Sequence, residues 1–319
     1  MLPLAINKVS NNTCNYVLSF RLHQLWQETV PKTTFPATFV LFVACEERGT
    51  DATGIAYNYN NRLHIYKRPL AAHLMRYRVP ASVTVVMGHT RMTTQGSEKR
   101  NGNNHPFFVQ AGDTQFALAH NGVLYNDKTL QQTFSLPAAK IETDSYVAVQ
   151  LLERYGKLDF DGLRFMAESL EGSFTFTALS DQDELYFVKG NNPICIYHFP
   201  SVGLYIYAST EEILRKALMQ FPLQLGSAEQ ICIHSGEILR INNHGKMNRG
   251  RFDDANLYTL LPPWTYREWD VKRTNPKESD YLNDLKSIAL YYGFYPEDID
   301  AMIDDGMNPL EIEEMLYCG

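Results

Sequence analysis

VTVVMGHTR, residues 83–91, poses the fold question. Val83 to Met87 is a short β-branched, apolar run and predicts a buried strand. A glycine, a histidine, a hydroxyl and a guanidinium follow it directly. The run has many counterparts. Strand character recurs at Gly54–Tyr59, Leu63–Tyr66, Gln115–Ala119, Ser173–Leu179, Leu185–Val188, Leu204–Tyr207 and Ile231–Ile233. Ala37–Ala44 belongs with them or is helical, since a short apolar run does not separate the two. Helical patterns lie between: Ser145–Leu152 after Thr143-Asp144, Asp161–Leu170, and Glu211–Leu218. The strands come in clusters rather than in βαβ alternation, which predicts a layered α+β fold with mainly antiparallel sheets.

Bulk properties exclude several classes. A chain of 319 residues, 45% hydrophobic and 20% charged, is long enough for one large domain with an appendage. A net charge of −7 argues against a nucleic-acid partner. No run approaches the ~20 apolar residues of a membrane span, and Pro3–Ile6 is too short a core for a signal peptide. A cytoplasmic location is expected. The five cysteines, Cys14, Cys45, Cys195, Cys232 and Cys318, are scattered and odd in number. They form neither a disulfide framework nor a zinc pattern, so at most one is expected to be chemically special.

The character changes after residue 250. Pro262-Pro263, Trp264, Trp269 and Pro276 sit in a stretch of little periodicity, read as a linker or strap over 251–280. Residues 281–319 read as a tail of three short helices, the second opened by Pro296 and the third by Asn308-Pro309. Residues 287–319 hold eight acidic side chains and no Lys or Arg. This is either a solvated face or a docking module for a basic partner.

Four stretches carry candidate chemistry: Glu47–Ala56, Gly88–Gly96, Ala119–Asn126 and Glu142–Ser145. Arg91 at a strand end suits bidentate capture of a carboxylate, against the commoner surface ion pair. Asn121-Gly122 is a strong hairpin signal, yet a side-chain amide beside a glycine N–H also suits an oxyanion. Asp144 at a helix start is an N-cap or an acceptor for a ligand ammonium. A carboxylate-binding Arg with an ammonium-binding Asp describes an α-amino acid.

Together these stretches resemble the class II glutamine amidotransferase domain, an N-terminal-nucleophile hydrolase. The matching segments are Arg48-Gly49-Thr50-Asp51-Ala52-Thr53-Gly54-Ile55-Ala56, Gly88-His89-Thr90-Arg91-Met92-Thr93-Thr94-Gln95-Gly96, Asn103-Asn104-His105-Pro106-Phe107, His120-Asn121-Gly122-Val123-Leu124-Tyr125-Asn126 and Glu142-Thr143-Asp144-Ser145, in family order. Weaker echoes are Glu171-Gly172-Ser173-Phe174, Tyr207-Ala208-Ser209-Thr210-Glu211 and Ser235-Gly236-Glu237. Thr93 stands where the family has alanine. The resemblance covers roughly residues 14–250. It implies a four-layer αββα sandwich and hydrolysis of the glutamine side-chain amide by a cysteine whose own α-amine is the base. Cys14 is the candidate that the family's spacing before Arg48 reaches when a modest insertion is allowed. Asn121 and Gly122 are implied for the oxyanion, Arg91 for the α-carboxylate, Asp144 for the α-ammonium, and Thr94 with Gln95 for the pocket wall. No cofactor and no metal are implied.

Two departures stand out. Thirteen residues precede Cys14, and they read as a propeptide whose removal would free its amine. Asn15 replaces the family glycine. The function expected is a glutaminase subunit supplying ammonia to a separate acceptor protein, with the acidic tail as the expected docking element. The alternatives are a catalytically silent amidotransferase-like binding protein and a γ-glutamyl peptide amidohydrolase.

Overall fold

Along VTVVMGHTR the side chains alternate between two apolar layers. Val85 and Met87 enter one and Val86 the other, the period of two that a pleated strand imposes. The computed structural model describes residues 13–19, 37–80, 82–220, 225–257, 286, 294–304, 307 and 312, the side chains of 13–19, 37–39 and 42 excepted. Contacts divide the chain into two units, Met1–Thr259 and Leu260–Gly319.

The first unit holds two antiparallel sheets. One contains β1 (Thr13–Ser19), β2 (Ala52–Tyr59), β3 (Arg62–Arg68), β4 (Val85–Arg91), β9 (Cys195–Phe199), β10 (Leu204–Ala208) and β11 (Glu229–Gln230), in the order β11-β9-β10-β1-β4-β2-β3. The other contains β5 (Phe107–Ala111), β6 (Thr114–Leu124), β7 (Gly172–Ser180), β8 (Leu185–Lys189), β12 (Glu237–Ile241) and β13 (Met247–Arg251), in the order β13-β12-β8-β7-β6-β5. Between the sheets lies an apolar layer with Ala56, Met87, Ala119, Leu179, Phe187 and Tyr207. The outer face of the first sheet is covered by α1 (Ala37–Ala44) and α5 (Glu211–Met219), which bring in Leu41, Ile213 and Leu214. The outer face of the second is covered by α3 (Tyr146–Tyr155) and α4 (Phe160–Ser169), which bring in Leu151, Leu163 and Met166. A further helix, α2 (Asp127–Thr133), follows β6. The order of layers is helix, sheet, sheet, helix, as the resemblance implied.

The local reasons are ordinary. Thr210 caps α5 through the Ile213 N–H, and Asp159 caps α4 through the Gly162 N–H. Gly156 ends α3 in the left-handed conformation.

Several expectations change. Ala37–Ala44 is a helix, because its Leu41 and Ala44 complete the layer outside the first sheet rather than pairing in it. Asn121-Gly122 makes no hairpin turn. β6 runs on through Leu124, with Asn121 opposite Thr175 and Gly122 opposite Phe174. A long partner strand outweighs the local turn preference of Asn-Gly. The strand expected at Ile231–Ile233 is shorter and earlier, Glu229–Gln230. Strands β5, β9, β12 and β13 were not signalled by alternation. Phe252 and Leu257 are buried in the helix-side core of the second sheet, beyond residue 250.

In the second unit α6 (Pro296–Asp304) starts at Pro296, and its Ile299 is buried with Ile312. Nearly all of the other two tail helices, the propeptide stretch and most of the strap lie outside the described residues. Among the described residues no helix is long and apolar enough to cross a membrane.

Candidate functional site

β4 delivers Arg91 as its last residue, and the side chain is only 3% exposed. It is therefore not a surface ion pair. Its Nη1 donates to Asn104 Oδ1 (2.8 Å) and its Nη2 to the Gln95 carbonyl (2.6 Å). Two of the five guanidinium N–H groups are thus held by protein, which fixes the plane of the fork. Burial pushes the guanidinium pKa down, while Asp144, Asp51 and Glu98 push it back up. The strand end is pinned from its neighbours. Asp51 N donates to the Arg91 carbonyl (3.0 Å), and Asp51 Oδ2 accepts from Thr93 N (2.7 Å). A Cβ on Gly49 would come within 2.3 Å of the Arg91 carbonyl carbon, which accounts for the Arg-Gly pair in that stretch.

Asp144 is equally buried, at 3% exposed. It does not cap α3. Its Oδ2 accepts the Leu124 N–H (2.7 Å), so the loop before α3 is tied to the end of β6. Its Oδ1 lies 3.3 Å from Ser145 Oγ, which lies 2.8 Å from His120 Nδ1. Two residues before Leu124 stands Gly122, with φ of 142°. A Cβ there would meet the Ser173 carbonyl at 1.8 Å and Asn192 Nδ2 at 2.6 Å. Only glycine fits, and its neighbour Asn121 is buried with its carbonyl accepting from Asn192 Nδ2 (2.7 Å).

Behind these groups lies a column of rings. His89 and His105 have centroids 4.4 Å apart, His105 and Phe107 4.4 Å, and His120 stacks on Phe176 at 4.5 Å. His89 Nε2–H donates to the His120 carbonyl (3.1 Å). Burial lowers all three imidazole pKa values, that of His89 to about 3. They are neutral at pH 7, so they add no positive charge beside Arg91. Among the described residues no group of three or more His, Cys, Asp or Glu is arranged to hold a metal ion.

Cys14 is the second residue of β1 and pairs with Thr90, with Thr13 opposite Arg91. β1 also approaches β6 across the sheets. The backbone thus brings the candidate cysteine next to the strand end that carries Arg91. Thr94 and Gln95 lie in the exposed bend after β4; the Gln95 carbonyl, not its side chain, is what meets Arg91.

Three supports were not foreseen. Asn104 holds Arg91, Asn192 braces Asn121, and Lys67 donates from β3 to the carbonyls of Asn104 and Pro106 (3.0 Å for the latter). Burial, with Arg91 nearby, lowers the Lys67 pKa to about 8. Asn104 lay within a quoted motif, which was its signal. Lys67 and Asn192 sit in a strand and a turn with nothing in their local sequence to mark them.

Comparison with known proteins adds an independent line. Residues 89–216 match the profile of a family described as a glutamine amidotransferase domain. Among curated proteins, a glutamine–fructose-6-phosphate aminotransferase (isomerizing) of Geobacillus kaustophilus is 33% identical over 159 residues, covering 47% of this chain and 26% of that protein. The Helicobacter pylori protein of the same name is 25% identical over 241 residues, covering 72% of this chain and 37% of that one. The chain thus spans about a quarter to a third of these relatives. Among solved structures, glutamine phosphoribosylpyrophosphate amidotransferase from B. subtilis superposes with a TM-score of 0.57 at 20% identity, covering 75% of this chain and 49% of that one. At that identity the likeness is one of fold.

Proposed function

We propose that the chain, whose residues 89–216 match a glutamine amidotransferase domain, acts as a class II member of that group and hydrolyses the side-chain amide of glutamine with Cys14 as nucleophile. The observation that carries this reading is the joint burial of Arg91 and Asp144 beside the strand end that Cys14 pairs with. A buried cation and a buried anion, each with capacity beyond its protein partners, suit the two charged ends of a free amino acid.

Arg91 takes the α-carboxylate on its remaining N–H groups, and Asp144 takes the α-ammonium. The exposed Thr94 closes the pocket wall. Cys14, activated by its own α-amine, attacks the amide carbon. An α-amine (pKa ~8) and a thiol (pKa ~8.5) are closely matched, so the proton moves at little cost. The Asn121 amide and the Gly122 N–H stabilise the tetrahedral oxyanion. The amine then returns the proton to the leaving nitrogen, ammonia departs, and water hydrolyses the γ-glutamyl thioester to glutamate and the free thiol.

This chemistry requires cleavage of the Thr13–Cys14 bond. The reading therefore includes removal of residues 1–13 as a propeptide, a cytoplasmic site where a thiol stays reduced, and a separate protein that uses the ammonia. The acidic stretch 287–319 is the docking element for a basic surface on that protein. Intact mass and ammonia release decide the matter. A chain beginning at Cys14 should release ammonia from glutamine, and Cys14→Ala should bind glutamine without releasing any. A mature wild-type chain that binds glutamine but releases no ammonia makes this a silent binding protein. Preferential turnover of γ-glutamyl peptides makes it an amidohydrolase of that class.

A further inference from the structure

Cys195 and Cys232 lie outside the glutamine site, at the β11 edge of the first sheet. Cys195 opens β9 and is buried; Cys232 is exposed. Both are free thiols. Their spacing in the sequence links them to nothing, but the sheet register does. Glu229 pairs with His198 and Gln230 with Tyr197. The next residue, Ile231, donates its N–H to the Ile196 carbonyl at 2.9 Å. One step further along the same antiparallel register brings Cys232 opposite Cys195.

That step is a non-hydrogen-bonded one, because the Ile231–Ile196 step carries the bond. Consistently, the Cys232 carbonyl turns away from β9 and accepts from Arg249 Nη2 (2.8 Å). Directly opposed residues of this kind have Cα atoms roughly 4.5 Å apart, inside the roughly 4.4–6.8 Å window of a disulfide.

The faces agree as well. Ile231 and Ile233 both pack on the layer between the sheets, together with Ile196. Cys232, between them in sequence, belongs to the opposite face. Cys195 is part of the helix-side core on that same face. The Cys195 sulfur already reaches across to this segment, accepting from Gln230 Nε2 at 3.9 Å.

We propose that Cys195 and Cys232 are a redox-active pair that closes to an intramolecular disulfide on reaction with a low-molecular-weight disulfide. The exposed Cys232 thiolate attacks one sulfur of the reagent RSSR. A Cys232–SR mixed disulfide forms and one RS⁻ leaves, taking up the displaced proton as RSH. Cys195, deprotonated, then attacks the Cys232 sulfur and expels the second RSH. Two protein thiols are oxidised by two electrons, and RSSR is reduced to two RSH. Burial, with Glu211 and Cys232 acting in the same direction, pushes the Cys195 thiol up to about 11. This makes Cys232 the attacking thiol and Cys195 the resolving one. The product staples the segment that leaves β11 to β9, on the sheet that also holds β1.

The test uses the full chain and oxidised glutathione. After exposure, free thiols are alkylated and non-reduced peptides are mapped by mass. The expected result is a Cys195–Cys232 cross-linked peptide, loss of two of the five thiols, and reversal by dithiothreitol. Cys195→Ser should instead stop at glutathione on Cys232, and Cys232→Ser should leave Cys195 unmodified. The Cys232 change is at an exposed position, so it serves even if the Cys195 variant fails to fold. A wild-type chain that keeps glutathione on Cys232 with Cys195 still open to alkylation after unfolding overturns the proposal. So does a cross-link that joins either cysteine to a different partner.

Discussion

Replacing Asp144 by Asn and by Ala separates its two roles. The carboxylate accepts the Leu124 N–H at 2.7 Å and sits in the neighbourhood of Arg91. Asn keeps an oxygen for Leu124, and its amide group can meet the Ser145 hydroxyl, which accepts as well as donates. It loses only the charge. A hydrogen bond to a charged group contributes about 1.5–3 kcal/mol, so loss of the ammonium contact should weaken glutamine binding about 10- to 150-fold at 1.4 kcal/mol per decade. Ala loses the same contact and also leaves the Leu124 N–H buried without its acceptor, which costs about 1–3 kcal/mol of stability. For a unit of this size that is roughly 2–4 °C in Tm per kcal/mol. Calorimetry of glutamine binding in a Cys14→Ala background measures the first effect without depending on turnover, and thermal melts measure the second. Arg91 keeps Asp51 and Glu98 as counter-charges in both variants. The expected pattern is equal binding losses and unequal melting losses. Asp144→Asn binding glutamine as tightly as the parent would refute the assignment of the ammonium site. Asp144→Asn melting as low as Asp144→Ala would refute the structural role given to the Leu124 bond.

Two further predictions concern pH. The folded-state pKa of Lys67 is lowered to about 8, below its unfolded value of about 10.5, so between those limits the unfolded chain binds more protons and stability rises with pH. Lys189, lowered to about 8 by burial, adds a parallel rise; Lys67→Met should therefore flatten the denaturation profile above pH 8 in part, and an unchanged slope would discount Lys67. At the acid end, His89, His105 and His120 are buried and neutral with lowered pKa values, so stability should fall as pH drops below about 6.5, progressively towards the His89 value of about 3. His89→Gln, read by urea denaturation at pH 7 and pH 5, should lose less between the two than the parent; an equal loss would place the acid sensitivity elsewhere.

The parts of this protein that local sequence determined are those in which a residue's neighbours in the chain are also its neighbours in space. The run Val83–Met87 leads into a strand, β4, which starts two residues later at Val85, because β-branched side chains suit a pleated, buried surface. α4 and α5 begin where Asp159 and Thr210 cap them. The matching motifs, taken together, were enough to point to the αββα layering. Elsewhere tertiary partners decided. Ala37–Ala44 is equally apolar as strand or helix, and it became a helix because the outer face of a sheet needed cover. Asn121-Gly122 carries a strong turn signal, yet β7 drew it into a strand, where Ser173 and Asn192 leave room for no Cβ.

The site divides in the same way. Arg91, Asp144, Asn121 and Gly122 were legible because each sits in a motif. What sets them in place was not. Asn192 reaches Asn121 from seventy-one positions away, Lys67 reaches Asn104 from thirty-seven, and Asp144 finds the Leu124 N–H across twenty. Such bonds leave no periodic trace, because the chain folds back at lengths set by the sheets and not by the pair. The opposition of Cys195 and Cys232 is of the same kind: two scattered cysteines in the sequence, and one cross-strand step in the fold.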